Sequence, residues 1–420
     1  MIKVLHFADA HIDIASHGRH DAVSGLPLRV LDFLKSLDHI VDTAISKKVD
    51  LVIFAGDAYK DRLPSPTYQR EWGKRVMRLS AAKIPTILLT GNHDVSPASG
   101  RAHTLQEFDT LEVPFVRVIN KPEFLKPADL WGLPLQMIAL PWIFRSGLMA
   151  SQQEAGITAE TANEEIEKRI SDVVHNWMNE LDPVLPTIMT AHASIQGALY
   201  GNERTVMLGK DLVLPGALVK DTRLDYTALG HIHKFQDLNP GAHPPVIYPG
   251  SIERVDFGEA ADDKFFVIAK IEKGNTTYKA HKLSGRRFID LAVKIKTSDN
   301  LMEKILAMLP AEDQLADAML RLVIEYPRET EVFLDEAALR EKCTSAFEFH
   351  LVRRPQEEAR SRFSPDESVA NLTPIELLGR YWQTVKLDPG NTQPLQALAA
   401  SIIQEVSGMA EVDLQTGEKQ

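Results

Sequence analysis

The spacing of apolar positions predicts alternating strands and amphipathic helices in the first half of the chain. Ile2–Phe7 reads as a strand. Leu31, Leu34, Leu37, Val41 and Ile45 then recur at three- and four-residue intervals and mark one helix face. A strand over 49–55, a helix over 65–82 and a strand over 85–90 follow, then a less regular stretch to about 140. Ile166, Ile170, Val173, Trp177 and Leu181 predict a further helix, and 185–191 the next strand. Runs at 226–229, 246–248, 265–271 and 278–283 are β-rich without clear helices between them.

From Arg286 the rhythm becomes strand (288–295), helix (301–309), strand (319–325), helix (334–342), strand (346–352), a small α/β unit of its own. The following polar stretch has linker composition. Thr373-Pro374-Ile375-Glu376 then supplies a helix start, with Thr as N-cap, Pro at the first helical position and Glu where a capping box needs it. Ile375, Leu378, Trp382 and Val385 share one face of that helix, 387–391 break it, and Leu395, Leu398, Ile402 and Val406 mark a second. The expected plan is an α/β domain over 1–283, a small α/β domain over 286–353, a linker over 354–372, a helical segment over 373–408 and a tail over 409–420.

Composition narrows this picture. At 420 residues and 44% hydrophobic content the chain can bury a sizeable core in two or three domains. Cys343 is the single cysteine, so no intrachain disulfide forms and the thiol reads as a buried filler. The apolar start is too short for a signal peptide and no later run reaches membrane-spanning length, which gives a cytoplasmic expectation. The net charge of −11 argues against nucleic-acid binding by bulk electrostatics, although acidic metal ligands and a local basic rim are compatible with it.

Five short segments place metal-type ligands just after apolar strands: Asp9-Ala10-His11, Gly56-Asp57, Gly91-Asn92-His93-Asp94, Ala191-His192 and Gly230-His231-Ile232-His233. Each alone reads more readily as a turn or a satisfied core residue than as a metal site. Together, in this order, they predict a metal site. Mixed imidazole, carboxylate and amide ligands favour manganese, iron or zinc. Seven ligands exceed one tetrahedral centre, so Asp9, His11, Asp57, Asn92, His192, His231 and His233 are expected to hold two ions, with Asp57 as a shared carboxylate. Alternate residues on an extended chain let Asp9 and His11 grip one ion, while His231 and His233 fit either a common ion or one each. Gly56, Gly91 and Gly230 precede ligands, consistent with backbone passing close to ions or phosphate. His93 is placed to donate a hydrogen bond or proton to phosphate or the leaving oxygen, with Asp94 available to orient its ring.

The order Asp-x-His, Gly-Asp, Gly-Asn-His-Asp, His, Gly-His-x-His resembles the calcineurin-like metallophosphoesterase superfamily. Gly56-Asp57-Ala58-Tyr59-Lys60-Asp61-Arg62, 226–233 and Tyr248-Pro249-Gly250-Ser251-Ile252-Glu253-Arg254 onward to Glu259 are similar to the SbcD-like DNA repair exonuclease subunits within it. That resemblance implies an α/β four-layer sandwich of two sheets flanked by helices, a capping domain over the DNA path, and manganese-dependent cleavage of DNA ends. It assigns Asp9, His11, Asp57 and His233 to one ion, Asp57, Asn92, His192 and His231 to the other, and makes His93 the catalytic histidine. It also implies a homodimer within a heterotetramer, joined to an SbcC-like coiled-coil ATPase of the SMC type through the helices after 372. Lys60 stands where some relatives carry a histidine, and Ala191 where glycine is common before the ligand at His192.

For DNA contact, Arg19, His20, Lys60, Arg62, Arg101, Arg204 and Arg254 lie in or near the motif loops and are candidates for a basic rim. Tyr59, Tyr248 and Phe257 fit core packing better than base stacking. The function expected is a duplex exonuclease and single-strand or hairpin endonuclease. A small-molecule phosphodiesterase or phosphatase, and a structural subunit anchoring the ATPase, are the alternatives.

Overall fold

The computed structural model describes residues 1–12, 19–95, 101–143, 159–201, 213–295, 300–356, 373–384 and 394–403. The chain divides into two compact units, one of Met1–Val293, Met302–Ile324 and Asp335–Arg353, the other of Lys294–Leu301, Glu325–Leu334 and Arg354–Gln420.

In the first unit the chain runs β1 (Ile2–Phe7), α1 (Leu28–Ser46), β2 (Leu51–Phe54), α2 (Pro66–Ala81), β3 (Thr86–Leu89), α3 (Gln106–Thr110), β4 (Val116–Ile119), β5 (Glu123–Leu125), β6 (Gln136–Leu140) and α4 (Ala159–Asn179). It continues through β7 (Thr187–His192), β8 (Ser194–Ile195), β9 (Val213–Leu214), α5 (Gly216–Val219), β10 (Tyr226–Gly230), β11 (Gln236–Asp237), β12 (Val246–Tyr248), β13 (Phe265–Glu272) and β14 (Asn275–Lys282). Two six-stranded sheets result, ordered β14-β13-β1-β2-β3-β4 and β11-β12-β10-β7-β6-β5. β1 through β4 are mutually parallel, as are β6, β7, β10 and β12, so each sheet gathers several carboxyl-terminal strand ends.

Strands buried on both faces need near-continuous apolar sequence, and side-chain alternation sorts those residues into layers. On β2, Val52 and Phe54 pack toward Phe33, Leu37 and Val41 of α1 and Trp72 and Val76 of α2. Leu51 and Ile53 point the other way, into a core with Met137, Ile188, Tyr226 and Ile247 of the second sheet. The far face of that sheet, with Ile138, Met189, Leu229 and Tyr248, is covered by Ile166, Ile170, Val174 and Met178 of α4. The layers are therefore helix, sheet, sheet, helix, the fold class expected from the sequence. Among the described residues no helix is long and apolar enough to cross a membrane.

Two details differ from the sequence reading. Val173 is 40% exposed, and the inward line of α4 is Ile166, Ile170, Val174 and Met178, one strict four-residue repeat. The irregular stretch before 140 contains β4, β5 and β6, strands of three to five residues whose pairing comes from neighbours in space rather than from their own pattern.

After Arg286 come β15 (Phe288–Lys294), α6 (Leu301–Met308), α7 (Glu312–Leu315), β16 (Met319–Pro327), α8 (Glu336–Lys342) and β17 (Glu348–Gln356), with sheet order β15-β16-β17. Buried Cys343 packs with Leu315, Leu320 and Ala346, the filler role expected of it. Arg286 grips both oxygens of Asp32 on α1, at 2.6 and 2.8 Å. In the second unit α9 (Pro374–Thr384) begins as its sequence predicts: the Glu376 carboxylate accepts from both the backbone N–H and the hydroxyl of Thr373, each at 2.7 Å. Residues 394–403 form a further helix with Leu395, Leu398 and Ile402 exposed. The expected linker lies outside the described residues from 357 onward, as do Val385, Val406 and the tail.

Candidate metal centre

The sequence-predicted ligands converge where the carboxyl ends of both sheets meet. Asp9 and His11 follow β1, Asp57 follows β2, Asn92 follows β3, His192 ends β7, and His231 and His233 follow β10. Asp9, His11, Asp57 and His231 all adopt positive φ, at 52°, 40°, 64° and 99°, a conformation costly for non-glycine residues and held only where surroundings over-determine it. Here they do. The Asp9 N–H donates to Gly56 O at 2.9 Å, the Ala10 N–H to Asp57 O at 2.8 Å, and the His231 N–H to both Asp9 carboxylate oxygens at 3.1 Å. A Cβ at Gly56 would lie 2.2 Å from His192 Nδ1, and one at Gly91 2.1 Å from Asp57 Oδ1, so glycine is required for these loops to close on the ligands.

Two buried groups form: Asp9, His11 and His233, and Asp57, His192 and His231, each with ligand atoms within 4.8 Å of one another. Asn92 joins the second group, its Oδ1 lying 3.0 Å from both His192 Nε2 and His231 Nδ1. Asp57 faces both, its Oδ2 being 3.4 Å from His192 Nε2 and 4.0 Å from His11 Nε2. The hydrogen bonds on the far side of each ring show why these residues fit a cation. His11 Nδ1 donates to Tyr59 O at 3.3 Å and His233 Nδ1 to Glu259 Oε1 at 2.8 Å, which leaves the two Nε2 lone pairs facing each other at 3.0 Å. His192 Nδ1 donates to Ala55 O at 2.6 Å, so its Nε2 lone pair points at the oxygens of Asn92 and Asp57. Lone pairs converging in a dry site repel unless a proton or a metal ion lies between them.

Electrostatics without an ion agree. Burial lowers His11 well below the usual imidazole range, with His233 adding to it. Burial also opposes charge on His192, but Asp57 and Asp9 overcome it and raise the imidazole to about 9. Burial raises Asp9 to about 6. It opposes ionisation of Asp57 too, yet His192 and then His93 hold that carboxylate well below its ordinary range. The second group therefore carries a proton that a divalent ion would displace.

His93 is half-buried beside this centre, its N–H donating to Asp57 Oδ1 at 2.8 Å. Its ring is fixed by Nδ1 donating to Lys60 O at 2.6 Å. Asp94 is not the orienting group expected. Its carboxylate accepts from the backbone N–H groups of Asp57 (2.8 Å), Ala58 (3.0 Å) and Gly91 (2.9 Å) and from the Thr104 hydroxyl at 3.1 Å. Asp94 ties the Asp57 loop to the Gly91 loop, and a backbone carbonyl orients His93 in its place.

The basic candidates separate. Lys60 and Arg62 are exposed next to the centre, and Arg62 Nε donates to Asn92 O at 3.1 Å. His20 and Arg101 are exposed on loops. Arg19 is exposed, but its guanidinium donates to Phe347 O, and Arg254 is half-buried and donates to Arg286 O at 3.0 Å, so both are engaged in tertiary structure rather than held out to a ligand. Arg204 lies outside the described residues. Tyr59 and Tyr248 are fully buried and Phe257 packs on Phe288, the packing roles expected.

Sequence reasoning missed three contributors. Glu259 backs His233, buried Lys264 backs Glu259 with Nζ 2.6 Å from Oε2, and Trp142 lies against His231 with ring centroids 5.1 Å apart. The available signal was Glu259, the acid that ends the family-like run from Tyr248, with Lys264 just before an apolar strand.

A family model described as Calcineurin-like phosphoesterase matches residues 2–235. The chain is 22% identical over 433 residues to the SbcD component of the nuclease SbcCD of Escherichia coli K12, covering 97% of this chain and 99% of that protein. It is 24% identical to the DNA double-strand break repair protein Mre11 of Archaeoglobus fulgidus, over 74% of this chain, and 24% identical to the uncharacterized metallophosphoesterase YhaO of Bacillus subtilis, over 71%. Those two matches span 66% and 65% of the relatives' own lengths.

Proposed function

We propose, from the premise that this chain belongs to the calcineurin-like phosphoesterase family, that it is a manganese-dependent DNA nuclease acting on duplex ends and on single strands or hairpins. The observation that carries the reading is the end-to-end match to a nuclease component, 97% of this chain against 99% of that protein, which continues well past the phosphoesterase region ending at residue 235. A small-molecule phosphoesterase needs the metal centre but not the capping unit or the terminal helices.

Two bound cations would neutralise phosphate oxygens and activate the attacking water. The chain's own residues do the rest. Asp9, His11 and His233 would hold one ion and Asn92, His192 and His231 the other, with Asp57 facing both. The bond from His93 Nδ1 to Lys60 O leaves Nε2 as the nitrogen that exchanges a proton or hydrogen bond with the phosphate or leaving oxygen. Lys60 and Arg62, exposed beside the ligands, supply positive charge for the adjacent backbone phosphates. The exposed apolar residues Leu395, Leu398 and Ile402 suit a coiled-coil ATPase partner of the SMC type, within a heterotetramer built on a dimer of this chain.

The test is cleavage of linear duplex DNA and of a cyclic dinucleotide, with Mn2+, by the wild type and by His93→Gln. Duplex cleavage that falls roughly 10²–10⁴-fold in the variant, with Mn2+ binding intact, is the expected result. Cleavage confined to the cyclic dinucleotide assigns a small-molecule phosphodiesterase instead, and equal DNA cleavage by both proteins removes His93 from the chemistry.

A further inference from the structure

His233 is braced differently from His11 and His192. His233 Nδ1 donates to Glu259 Oε1 at 2.8 Å, and both residues are buried. The other Glu259 oxygen is saturated: Lys264 Nζ lies 2.6 Å from Oε2, the Val255 N–H donates to it at 3.0 Å and the Ser251 hydroxyl at 3.3 Å. Lys264, 1% exposed, spends its remaining protons on His233 O at 3.1 Å and Ser251 Oγ at 2.8 Å. The carboxylate therefore holds the ring of His233 while the ammonium holds both the carboxylate and the backbone of His233.

We infer that Glu259 and Lys264 form a positioning pair that fixes the Nδ1–H tautomer of His233, aims its Nε2 at the ion shared with His11 and Asp9, and so sets the affinity of that position separately from the other. Three arguments carry this. Packing alone does not require a buried ion pair here, because apolar residues of similar volume often give equal or greater stability. A carboxylate behind a ligating imidazole raises its donor strength and locks its orientation, typically worth 10–100-fold in metal affinity. The corresponding bonds behind His11 and His192 go to neutral backbone carbonyls of Tyr59 and Ala55, so among these three imidazoles the carboxylate support falls on His233. Gly250 lets the supporting loop pass close to that histidine: a Cβ there would lie 2.5 Å from His233 O.

This inference rests on the metal-dependent reading above, and a binding experiment without DNA separates the two. Full-length protein stripped of metal is titrated with Mn2+ by calorimetry, comparing wild type, Glu259→Gln and the doubly neutral E259Q/K264M, with circular dichroism as a check on folding. Gln keeps an acceptor for His233 but removes the charge. The second substitution removes the unpaired ammonium that E259Q leaves behind. The expected result is two sites in the wild type, one of which weakens 10–100-fold in both variants while the other is unchanged. Folded variants with two sites of wild-type affinity overturn the inference while leaving the metal centre standing. Equal weakening of both sites also overturns it, because the pair is then general scaffolding, as does failure of both variants to fold. A wild type that binds no Mn2+ removes the metal-dependent reading itself.

Discussion

The two ligand groups are built from the same residue types but braced by different materials. Asp9, His11 and His233 lean on a backbone carbonyl and on the buried pair of Glu259 and Lys264. Asp57, His192 and His231 lean on the Ala55 carbonyl, on Asn92, and on a loop stitched by Asp94. The first group takes its orientation from a charge network on the loop before β13. The second takes it from the close approach of glycine-bearing loops after β2 and β3. Two ions bound here would therefore not be equivalent, and each position fails for its own reason.

Asp57→Asn breaks the comparison altogether, since Asp57 is the carboxylate that faces both His11 and His192. Losing its charge removes the shared anion from both groups. DNA cleavage should fall on the order of 10³-fold or more, equivalent to about 4 kcal/mol in the barrier, and Mn2+ stoichiometry measured by calorimetry should drop below two. A variant that still binds two ions tightly would show that the groups do not depend on a common ligand.

Gly56→Ala sharpens the comparison by striking the second group first, at His192. The new Cβ would lie 2.2 Å from His192 Nδ1, at a backbone φ of 100°. Displacing that ring costs the bond to Ala55 O, and the strain adds roughly 1–3 kcal/mol of instability. The expected outcome mirrors that of Glu259→Gln: one Mn2+ site weakened at least about 10-fold, but the opposite one. Weakening of the same site by both variants, judged by which calorimetric transition is lost, would refute independent bracing.

These braces also mark where the sequence stops being readable. The ligands are legible because each is a polar residue placed directly after an apolar run, a pattern that survives without knowledge of what pairs with what. The four layers are legible for the same reason, β2 being apolar at every position. Asp94 reads in sequence as an orienter of His93 only because the two are adjacent along the chain. In a turn its side chain points back to the N–H groups of Asp57 and Gly91. Glu259 is invisible as a brace because its partner, His233, lies 26 residues away and meets it only through the loop between β12 and β13. Arg19 and Arg254 read as part of a basic rim because a surface cation and one tied to backbone carbonyls look alike in sequence.

The smallest expected effect concerns protons and separates the groups without mutation. In metal-free protein, His192 has its imidazole raised to about 9: burial opposes the charge, but Asp57 and Asp9, the carboxylates facing it, outweigh burial. A folded-state value above the unfolded one of about 6.5 means that the folded state binds the proton more tightly. The resulting stability is complete below about pH 6.5 and is lost as pH rises through about 9. Metal-free protein should therefore lose roughly 1–3 kcal/mol between these limits, seen as a melting temperature that declines with pH. Mn2+-loaded protein should lack this decline, because the ion replaces the proton between His192 Nε2 and its oxygen neighbours. His11, lowered by burial and by His233, holds no proton in the folded state over this window, so it adds no decline of its own. Melting curves of the metal-free protein that stay flat from pH 6.5 to 9 would mean that the second group does not store a proton, and with it would go the electrostatic contrast between the two positions.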